Sequence, residues 1–498
     1  IPIVIKSPAV TWIPCQNTTP RFTELADNGS SIVVNCPTAF QVSTTNTQWT
    51  FYDPVAQVRL YYKDMFLHTH DRMRYIKRPA EKWETRQSHD RTLPFRGRIV
   101  KVKCGKLYNF HTKYLPDPEK TVPSTPLDGK PTIVHIMTDA FPRASFFRKS
   151  QGWPNVAKLL ETMWARDDSS HQSFVFNRYV SQSMNTIENL VPMYGGVPHD
   201  TFDLVENGGL APTLAKKNAS QDIKMIWEHA SDYGYQMLMG DEMTNAPQRV
   251  MMDSPHLQFF TSHNRDVFND FPHGAVEREG ELRHMQCYGA EQAVEHELRE
   301  TLQFLDQSPG VPKFTFLTMK QAHSKWPDGN QNDRIALEFM RALLKREEDV
   351  ALFLASDHGY GYQDKWGKNP KRFPGGEYER LLPFMGIVVP NRMLRKLGKT
   401  HLFTNQQRLV SCFDINLTFQ ALMAGYEQMR VDPSLQRRGI PGTPGGTALN
   451  LITQEVPKNR TCREAGIRDS ACVCSRWHDV APAEYRRPRS DYRAGLDA

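Results

Sequence analysis

Hydrophobic and polar positions follow two different rhythms along the chain. In the first 125 residues, short runs rich in β-branched and aromatic residues stand between turn signals, at 31–35, 58–62 and 98–103. This pattern is typical of strands joined by tight connections. Residues 115–126 then hold four prolines, which indicates a linker or a surface crossing. The pattern therefore predicts a β-rich N-terminal region over residues 1–125.

From residue 126 to 450, apolar runs of strand length alternate with longer segments of helical periodicity. Strands are predicted over 132–138, 174–180, 235–239, 313–319, 351–355 and 383–389, and helices over 153–166, from about Thr186 onward, and over 223–233, 290–306 and 333–347. Strands that alternate with helices of this length indicate a mostly parallel sheet flanked by helices. We therefore expect an α/β domain over 126–450.

Polar side chains with metal-binding chemistry follow several of these predicted strands. Asp357 and His358 come directly after the strand at 351–355, Asp139 follows the strand at 132–138, and His323 follows the strand at 313–319. Because the carboxyl ends of parallel strands share one edge of a sheet, these groups are expected to lie near each other. A carboxylate beside an imidazole suits a divalent metal. Taken singly, each residue could instead be a helix cap, a turn residue or a surface group.

Thr186 stands between a strand-like segment and a helical one. A hydroxyl at this position is commonly an N-cap. The first turn of a helix also presents backbone N–H groups to an anion, so the same position suits the acceptor of a phosphoryl group.

Composition narrows the class of protein. Apolar residues make up 39% of the 498 residues and charged residues 23%, as in globular proteins, and no apolar run is long enough to span a membrane. The net charge of +7 is spread along the chain, with basic residues denser at 72–106 and 486–493. It indicates either a solvated basic surface or attraction to anionic glycans, lipid headgroups or phosphates. No pattern of a nucleic-acid-binding motif is present.

Cysteines and glycosylation sequons point to an oxidising compartment. The number of cysteines is even, their spacing does not match a zinc site, and all are expected in disulfides. They are Cys15, Cys36, Cys104, Cys287, Cys412, Cys462, Cys472 and Cys474. Five sequons predict glycosylation at Asn17, Asn28, Asn218, Asn416 and Asn459. Residues 451–498 show few helix or strand signals, three cysteines and a basic end, which predicts a disulfide-pinned extension and a mobile tail. The chain is therefore expected to be secreted or on the extracellular face of the cell surface.

Several of these segments together resemble the alkaline phosphatase superfamily, which includes phosphatases, sulfatases and phosphoethanolamine transferases. The resemblance is strongest to a family of animal extracellular proteins known only as a domain of unknown function. It rests on VHIMTD at 134–139, NTIENLVPMYG at 185–195, SDHG at 356–359, GEYERLLP at 376–383 and RTCREAG at 460–466. The implied fold is an alkaline-phosphatase-like α/β core between the β-rich N-terminal region and the C-terminal extension.

The resemblance also implies roles for single residues. Asp139, Asp357 and His358 would hold a divalent metal, zinc or manganese, together with the hydroxyl of Thr186, which would be the nucleophile. His323 would contact the phosphoryl group, protonate a leaving group or ligate a second metal.

A second metal would need a further carboxylate, for which Asp241 and Asp333 are the candidates. Because no histidine after the SDHG segment matches the superfamily's second metal site, one metal is expected rather than two.

Arg143, Arg148 and Lys368 would hold an anionic substrate. The nucleophile motif of sulfatases is absent, which argues against sulfatase chemistry.

The sequence thus predicts a secreted or cell-surface, metal-dependent hydrolase or phosphotransferase that acts on phosphate esters through a Thr nucleophile. Its substrate would be a phosphate ester or an anionic glycan or lipid. The alternative is a catalytically inactive, glycosylated extracellular protein that keeps the fold and binds protein partners.

Overall fold

The computed structural model describes most of the α/β region and parts of the N-terminal region. The described residues are 20–26, 29–45, 84–95, 99–114, 129–147, 152–164, 170–204, 210–212, 224–241, 262–263, 287–288, 290–319, 330–359 and 376–473. The predicted strand at 58–62 lies outside them.

The N-terminal region consists of two antiparallel sheets. Its strands are β1 (Thr23–Ala26), β2 (Ser31–Val34), β3 (Phe40–Thr45), β4 (Glu84–Ser88), β5 (Thr92–Pro94), β6 (Ile99–Cys104) and β7 (Leu107–Thr112). They form a three-stranded sheet in the order β1-β2-β5 and a four-stranded sheet in the order β4-β3-β6-β7. Ile32, Val42 and Val102 pack between them, and a disulfide joins Cys36 to Cys104. The β-rich character predicted for this region is confirmed.

The remaining strands build the central sheet and several short pairs. They are β8 (Thr132–Thr138), β9 (His171–Val175), β10 (Arg178–Tyr179), β11 (Phe202–Leu204), β12 (Leu210–Pro212), β13 (Gln236–Asp241), β14 (Ser262–His263), β15 (Cys287–Tyr288), β16 (Glu291–Gln292), β17 (Lys313–Met319), β18 (Val350–Ser356), β19 (Met385–Pro390), β20 (Leu409–Val410), β21 (Arg437–Gly439) and β22 (Thr447–Leu449).

The central sheet has seven strands in the order β14-β13-β17-β8-β18-β19-β9. The first five are parallel, and β19 runs antiparallel to both of its neighbours. Every residue of β8, β17 and β18 is buried, as expected for strands covered on both faces. The mostly parallel sheet is therefore confirmed.

Helices cover both faces of this sheet. They are α1 (Arg143–Phe146), α2 (Pro154–Met163), α3 (Thr186–Gly195), α4 (Ile226–Asp232), α5 (Ala293–Leu305), α6 (Asn330–Leu344), α7 (Gly376–Leu381), α8 (Asn391–Leu397), α9 (Thr400–Asn405), α10 (Cys412–Ala424), α11 (Tyr426–Val431) and α12 (Pro433–Gln436). Successive residues of β8 alternate between two cores. Ile133 packs with α3, α4 and α10 on one face, and Val134 packs with α2, α5 and α6 on the other.

The C-terminal extension is held to this core by a buried ion pair, and a disulfide closes a loop within the extension itself. Up to residue 473, the described part of the chain has no helix or strand after β22, as predicted. Cys462 and Cys472 form a disulfide, and the Arg460 guanidinium makes two bonds to the Asp414 carboxylate of α10, at 2.8 and 3.0 Å. Both partners are buried, and Arg460 also donates to the carbonyl of Leu409. The extension is thus an integral layer of the core.

Two predictions about α10 are wrong. Cys412 is not in a disulfide: its thiol is free, buried in the core and 3.2 Å from the Tyr179 hydroxyl, and burial raises its pKa to about 12. Asn416 is not available for glycosylation, because its side chain is buried, donates to the Met193 carbonyl and accepts from Gln420. A glycan there would have to displace the core of the domain.

The other cysteines and sequons divide between described and undescribed positions. Asn459 is exposed, so its predicted glycosylation stays a prediction. Cys15, Cys474, Asn17, Asn28 and Asn218 lie outside the described residues, as does the side chain of Cys287.

Candidate metal centre

The register of two neighbouring strands brings three ligand residues together. β8 and β18 pair in parallel, with Thr138 opposite Ser356. Asp139 therefore leaves β8 at the same level at which Asp357 and His358 leave β18. All three side chains are buried, with exposures between 0% and 3%.

The ligand atoms converge on one point. One oxygen of each carboxylate and one imidazole nitrogen lie within 4.8 Å of one another. His358 Nε2 is 3.6 Å from Asp139 Oδ1 and 3.4 Å from Asp357 Oδ2. In the part of the chain that the structure describes, no other group of histidine, cysteine and acidic residues has such a geometry.

Hydrogen bonds orient two of these three ligand side chains, His358 and Asp357. His358 Nδ1 lies 2.6 Å from the Gly359 carbonyl oxygen, which can only accept, so Nδ1 carries a proton and Nε2 is the ring nitrogen that faces the two carboxylates. Asp357 Oδ1 accepts from the backbone N–H groups of Ala140 (3.0 Å) and His358 (2.7 Å). Its Oδ2 accepts no hydrogen bond from any described residue. Two carboxylates and an imidazole are a donor set that zinc and manganese accept, so the residues fit a divalent cation.

Thr186 is the first residue of α3, at the edge of this group. Its hydroxyl is 3.4 Å from His358 Nε2 and its side chain is largely buried. The preceding residue, Asn185, has an extended backbone, and its side chain makes no capping hydrogen bond. The N–H groups of the first helical turn are therefore left without a side-chain cap.

Backbone features close to the ligands are tightly constrained. Ala140 has a positive φ of 57°, which is uncommon for a residue with a Cβ and costs of order 1 kcal/mol or more. The next N–H, that of Phe141, donates to Ser356 Oγ at 2.8 Å, and Ser356 Oγ donates to the His358 carbonyl. A Cβ on Gly359 would stand 1.5 Å from the Glu379 carbonyl oxygen, so only glycine fits there. The turns that carry the ligands are thus locked from several sides.

The other predicted site residues are not all brought together. Asp333 caps α2, since its carboxylate accepts from the N–H groups of Asn155 and Val156, both at 2.9 Å, so it is not a carboxylate for a second metal. Arg143 is half-buried in α1 and donates to Asn177 Oδ1 at 3.3 Å, and burial lowers the pKa of its guanidinium. Its predicted contact with substrate stays a prediction. His323, Arg148 and Lys368 lie outside the described residues, as does the side chain of Asp241.

Sequence reasoning missed the residues that hold the ligands in place. Ser356 was seen only as part of the SDHG segment, and Ala140 carries no signal in sequence, since alanine rarely adopts a positive φ. Asn189, which bonds to the loop before Thr186, was also missed. The signal that could have found it is a buried polar position inside an otherwise apolar helix face.

Several solved structures are similar to this chain over more than half of its length. Structures similar to this chain include the C-terminal periplasmic domain of EcEptC from Escherichia coli (12% identity, 67% of this chain and 88% of that chain, TM-score 0.41). A second is the soluble domain of lipooligosaccharide phosphoethanolamine transferase A from Neisseria meningitidis (11% identity, 59% of this chain and 88% of that chain, TM-score 0.40). A third is the lipoteichoic acid synthase LtaP from Listeria monocytogenes (11% identity, 61% of this chain and 75% of that chain, TM-score 0.38). None of the curated proteins compared with the chain matches it significantly. Among the described residues, no helix has the length and apolarity needed to cross a bilayer.

The family assignment rests on the sequence as a whole. Residues 15–490 match a family described as "Protein of unknown function (DUF229)", which covers nearly the entire chain. The chain belongs to this family, which lies within the alkaline phosphatase and sulfatase superfamily.

Proposed function

We propose that this protein is a metal-dependent phosphotransferase or phosphodiesterase that uses Thr186 as its nucleophile. One observation carries the proposal: the Thr186 hydroxyl, at the start of α3, lies 3.4 Å from His358 Nε2, within a group of buried residues whose donor atoms fit a divalent cation. A hydroxyl that served only as a cap would bond to the backbone of its own helix instead.

Asp139, Asp357 and His358 would hold the cation, zinc or manganese, at one site. When bound, such a cation lowers the pKa of a neighbouring hydroxyl and neutralises charge on phosphoryl oxygens. The protein itself holds the ligand side chains in fixed orientations. Asp357 is fixed by two backbone N–H groups and His358 by its Nδ1 proton, so neither has to reorganise during the reaction.

The transfer itself involves Thr186 directly. Its oxygen forms a bond to phosphorus while the bond from phosphorus to the leaving oxygen breaks, and the hydroxyl proton goes to water. The phosphoryl oxygens lie at the uncapped N-terminus of α3, where N–H groups favour an anion. Water then takes the phosphoryl group from Thr186 in a hydrolase, or an alcohol does so in a transferase.

The proposal also assigns residues to the leaving group and to substrate binding, and it includes the compartment in which the protein works. His323 would protonate the leaving oxygen or contact the phosphoryl group, and Arg143 and Lys368 would hold an anionic glycan or lipid that carries the phosphate ester. The disulfides Cys36–Cys104 and Cys462–Cys472 support a secreted or cell-surface protein, because such bonds persist in oxidising compartments.

The test is a comparison of Thr186→Ala with the wild-type protein, both loaded with Mn²⁺ or Zn²⁺, on an aryl phosphodiester. We expect the variant to lose hydrolysis while it keeps the metal, and intact mass of the wild type to show a phosphate adduct on Thr186 after rapid acid quench. Thr162→Ala, which changes an exposed threonine of α2, is the control and should behave as wild type.

The alternative function would give a different result. A catalytically inactive, glycosylated extracellular protein would show no metal-dependent hydrolysis, and Thr186→Ala would then leave partner binding and secretion unchanged. Equal hydrolysis by Thr186→Ala and wild type would refute the nucleophile.

A further inference from the structure

The loop before Thr186 is tied to α3 by a single buried side chain. Asn189 lies one turn into α3 and is fully buried. Its Oδ1 accepts from the backbone N–H groups of Gln182 (2.6 Å) and Ser183 (3.2 Å). Its Nδ2 donates to the backbone carbonyls of Ser183 (2.9 Å) and Asn185 (2.8 Å). Four hydrogen bonds thus hold residues 182–185 against the first turn of the helix.

Only an asparagine can make this set of bonds. Its amide offers two donors and an oxygen with two lone pairs, and all of them are used here. An aspartate would still accept from Gln182 and Ser183, but it would place a second oxygen against two carbonyl oxygens. An alanine or a leucine would leave buried N–H and C=O groups without partners.

These bonds matter because of where Thr186 lies. As the first residue of α3, its own N–H has no partner within the helix, and helix ends fray unless they are held. The Asn185 carbonyl that Asn189 binds belongs to the peptide bond that leads into Thr186. Loss of this bond would therefore release Thr186 on one side, while the metal ligands that follow β8 and β18 stay in place.

We propose that Asn189 is a positioning residue, which holds the Thr186 hydroxyl at the distance and direction needed for attack on phosphorus. This inference rests on the proposed function, since it assigns a role in the same site. Asn189 does not touch the reacting atoms and acts only through the loop 182–185. A misplacement of a reacting group by about 1 Å can cost about 100-fold in rate.

The test compares Asn189→Ala and Asn189→Asp with wild type, loaded with Mn²⁺. We expect kcat/KM to fall by roughly 10- to 100-fold, with most of the loss in kcat. Metal content should stay at the wild-type level, because the bonds that orient Asp357 and His358 come from the backbone of residues 140 and 358–359, outside this loop. Affinity for inorganic phosphate, measured by calorimetry, should fall by about 10-fold or more, since the N-terminus of α3 would no longer be held.

Asn405 supplies a matched control. It is also fully buried, and its amide makes three bonds that hold residues 451–456: to the carbonyls of Leu451 (3.0 Å) and Gln454 (2.8 Å), and from the N–H of Val456 (2.8 Å). Asn405→Ala should lower thermal stability as Asn189→Ala does, while kcat and phosphate affinity stay at wild-type levels. If Asn189→Ala fails to fold, Asn189→Asp, which keeps both N–H acceptor bonds, carries the test.

The possible results distinguish the positioning role of Asn189 from the proposed function of the protein. Wild-type kcat and phosphate affinity in a folded Asn189 variant overturn the positioning role and leave the proposed function intact. An equal loss of kcat in Asn405→Ala also overturns it, because the effect would then follow stability alone. If the wild-type protein neither turns over an aryl phosphodiester nor binds phosphate, the proposed function and this inference fail together.

Discussion

Asp357→Asn should make the metal-free protein more stable, not less. In the absence of a cation, the carboxylates of Asp139 and Asp357 lie buried with ligand oxygens within 4.8 Å of each other. With an effective dielectric constant of about 20, two negative charges at this distance repel by about 3 kcal/mol. The asparagine keeps the Oδ1 that accepts from Ala140 and His358, so no backbone bond is lost. We expect the metal-free variant to gain about 1–3 kcal/mol in the free energy of unfolding.

The same change should abolish stabilisation by the metal. A cation at 100 times its dissociation constant stabilises the wild-type protein by about 2.7 kcal/mol, and a variant that no longer binds gains nothing. Urea unfolding, followed by fluorescence with EDTA and with Mn²⁺, measures both effects.

Ser356→Ala is the matched control. It leaves all three ligands in place but removes the hydroxyl that bonds to Phe141 and His358. Metal affinity should fall by about 10- to 100-fold, and the metal-free protein should become less stable. If Asp357→Asn also lowers metal-free stability, the carboxylate serves the fold and the electrostatic reasoning for the site is wrong.

Three further predictions concern the rest of the domain. Arg460→Ala should lower the free energy of unfolding by about 3–5 kcal/mol in urea titrations, because it leaves the Asp414 carboxylate buried without its cation; an effect under 1 kcal/mol would contradict this. In protein secreted from animal cells, glycopeptide mass spectrometry should find a glycan on exposed Asn459 and none on buried Asn416; the reverse occupancy would refute the burial argument. Burial lowers the pKa of His135 to about 3, so stability should decline as the pH falls from 6.5 toward that value, by up to about 1.4 kcal/mol per pH unit. His135→Phe should flatten this slope in urea titrations at pH 7, 5.5 and 4.5, and an unchanged slope would show that other groups govern it.

The sequence predicted those parts of the fold whose pattern is unambiguous. The apolar runs at 132–138 and 313–319 match β8 and β17 residue for residue, and the residues that follow them mark one edge of the sheet. The start of α3 at Thr186 was also predicted. Each of these elements has polar residues that delimit it sharply.

Elements buried on all sides were harder to predict. Nearly every residue of α10 is buried, so it shows no amphipathic period, and no helix was predicted at 412–424. The errors at Cys412 and Asn416 share this cause. A disulfide and a sequon are local patterns, and only the tertiary structure shows that both positions are in the core.

The supporting contacts of the site also could not be predicted. Nothing local in the sequence pairs Ser356 with Phe141 or Asn189 with Gln182, because these bonds depend on how strands and loops meet. The ligand types could be predicted from strand ends, but not the hydrogen bonds that orient the side chains.

The position of β8 in the centre of the sheet has a consequence for how the protein is made. Its two neighbours, β17 and β18, are synthesised long after it, and Ala140 and Asp357 are 217 positions apart in the chain. During translation, β8 must therefore wait with both edges unpaired, and such a strand is prone to aggregation. Native topology of this kind folds slowly, because distant segments must meet before any contact is gained. The ligand residues can assemble only when β8 has paired with β18, so binding of a cation would report that this distant pairing has formed.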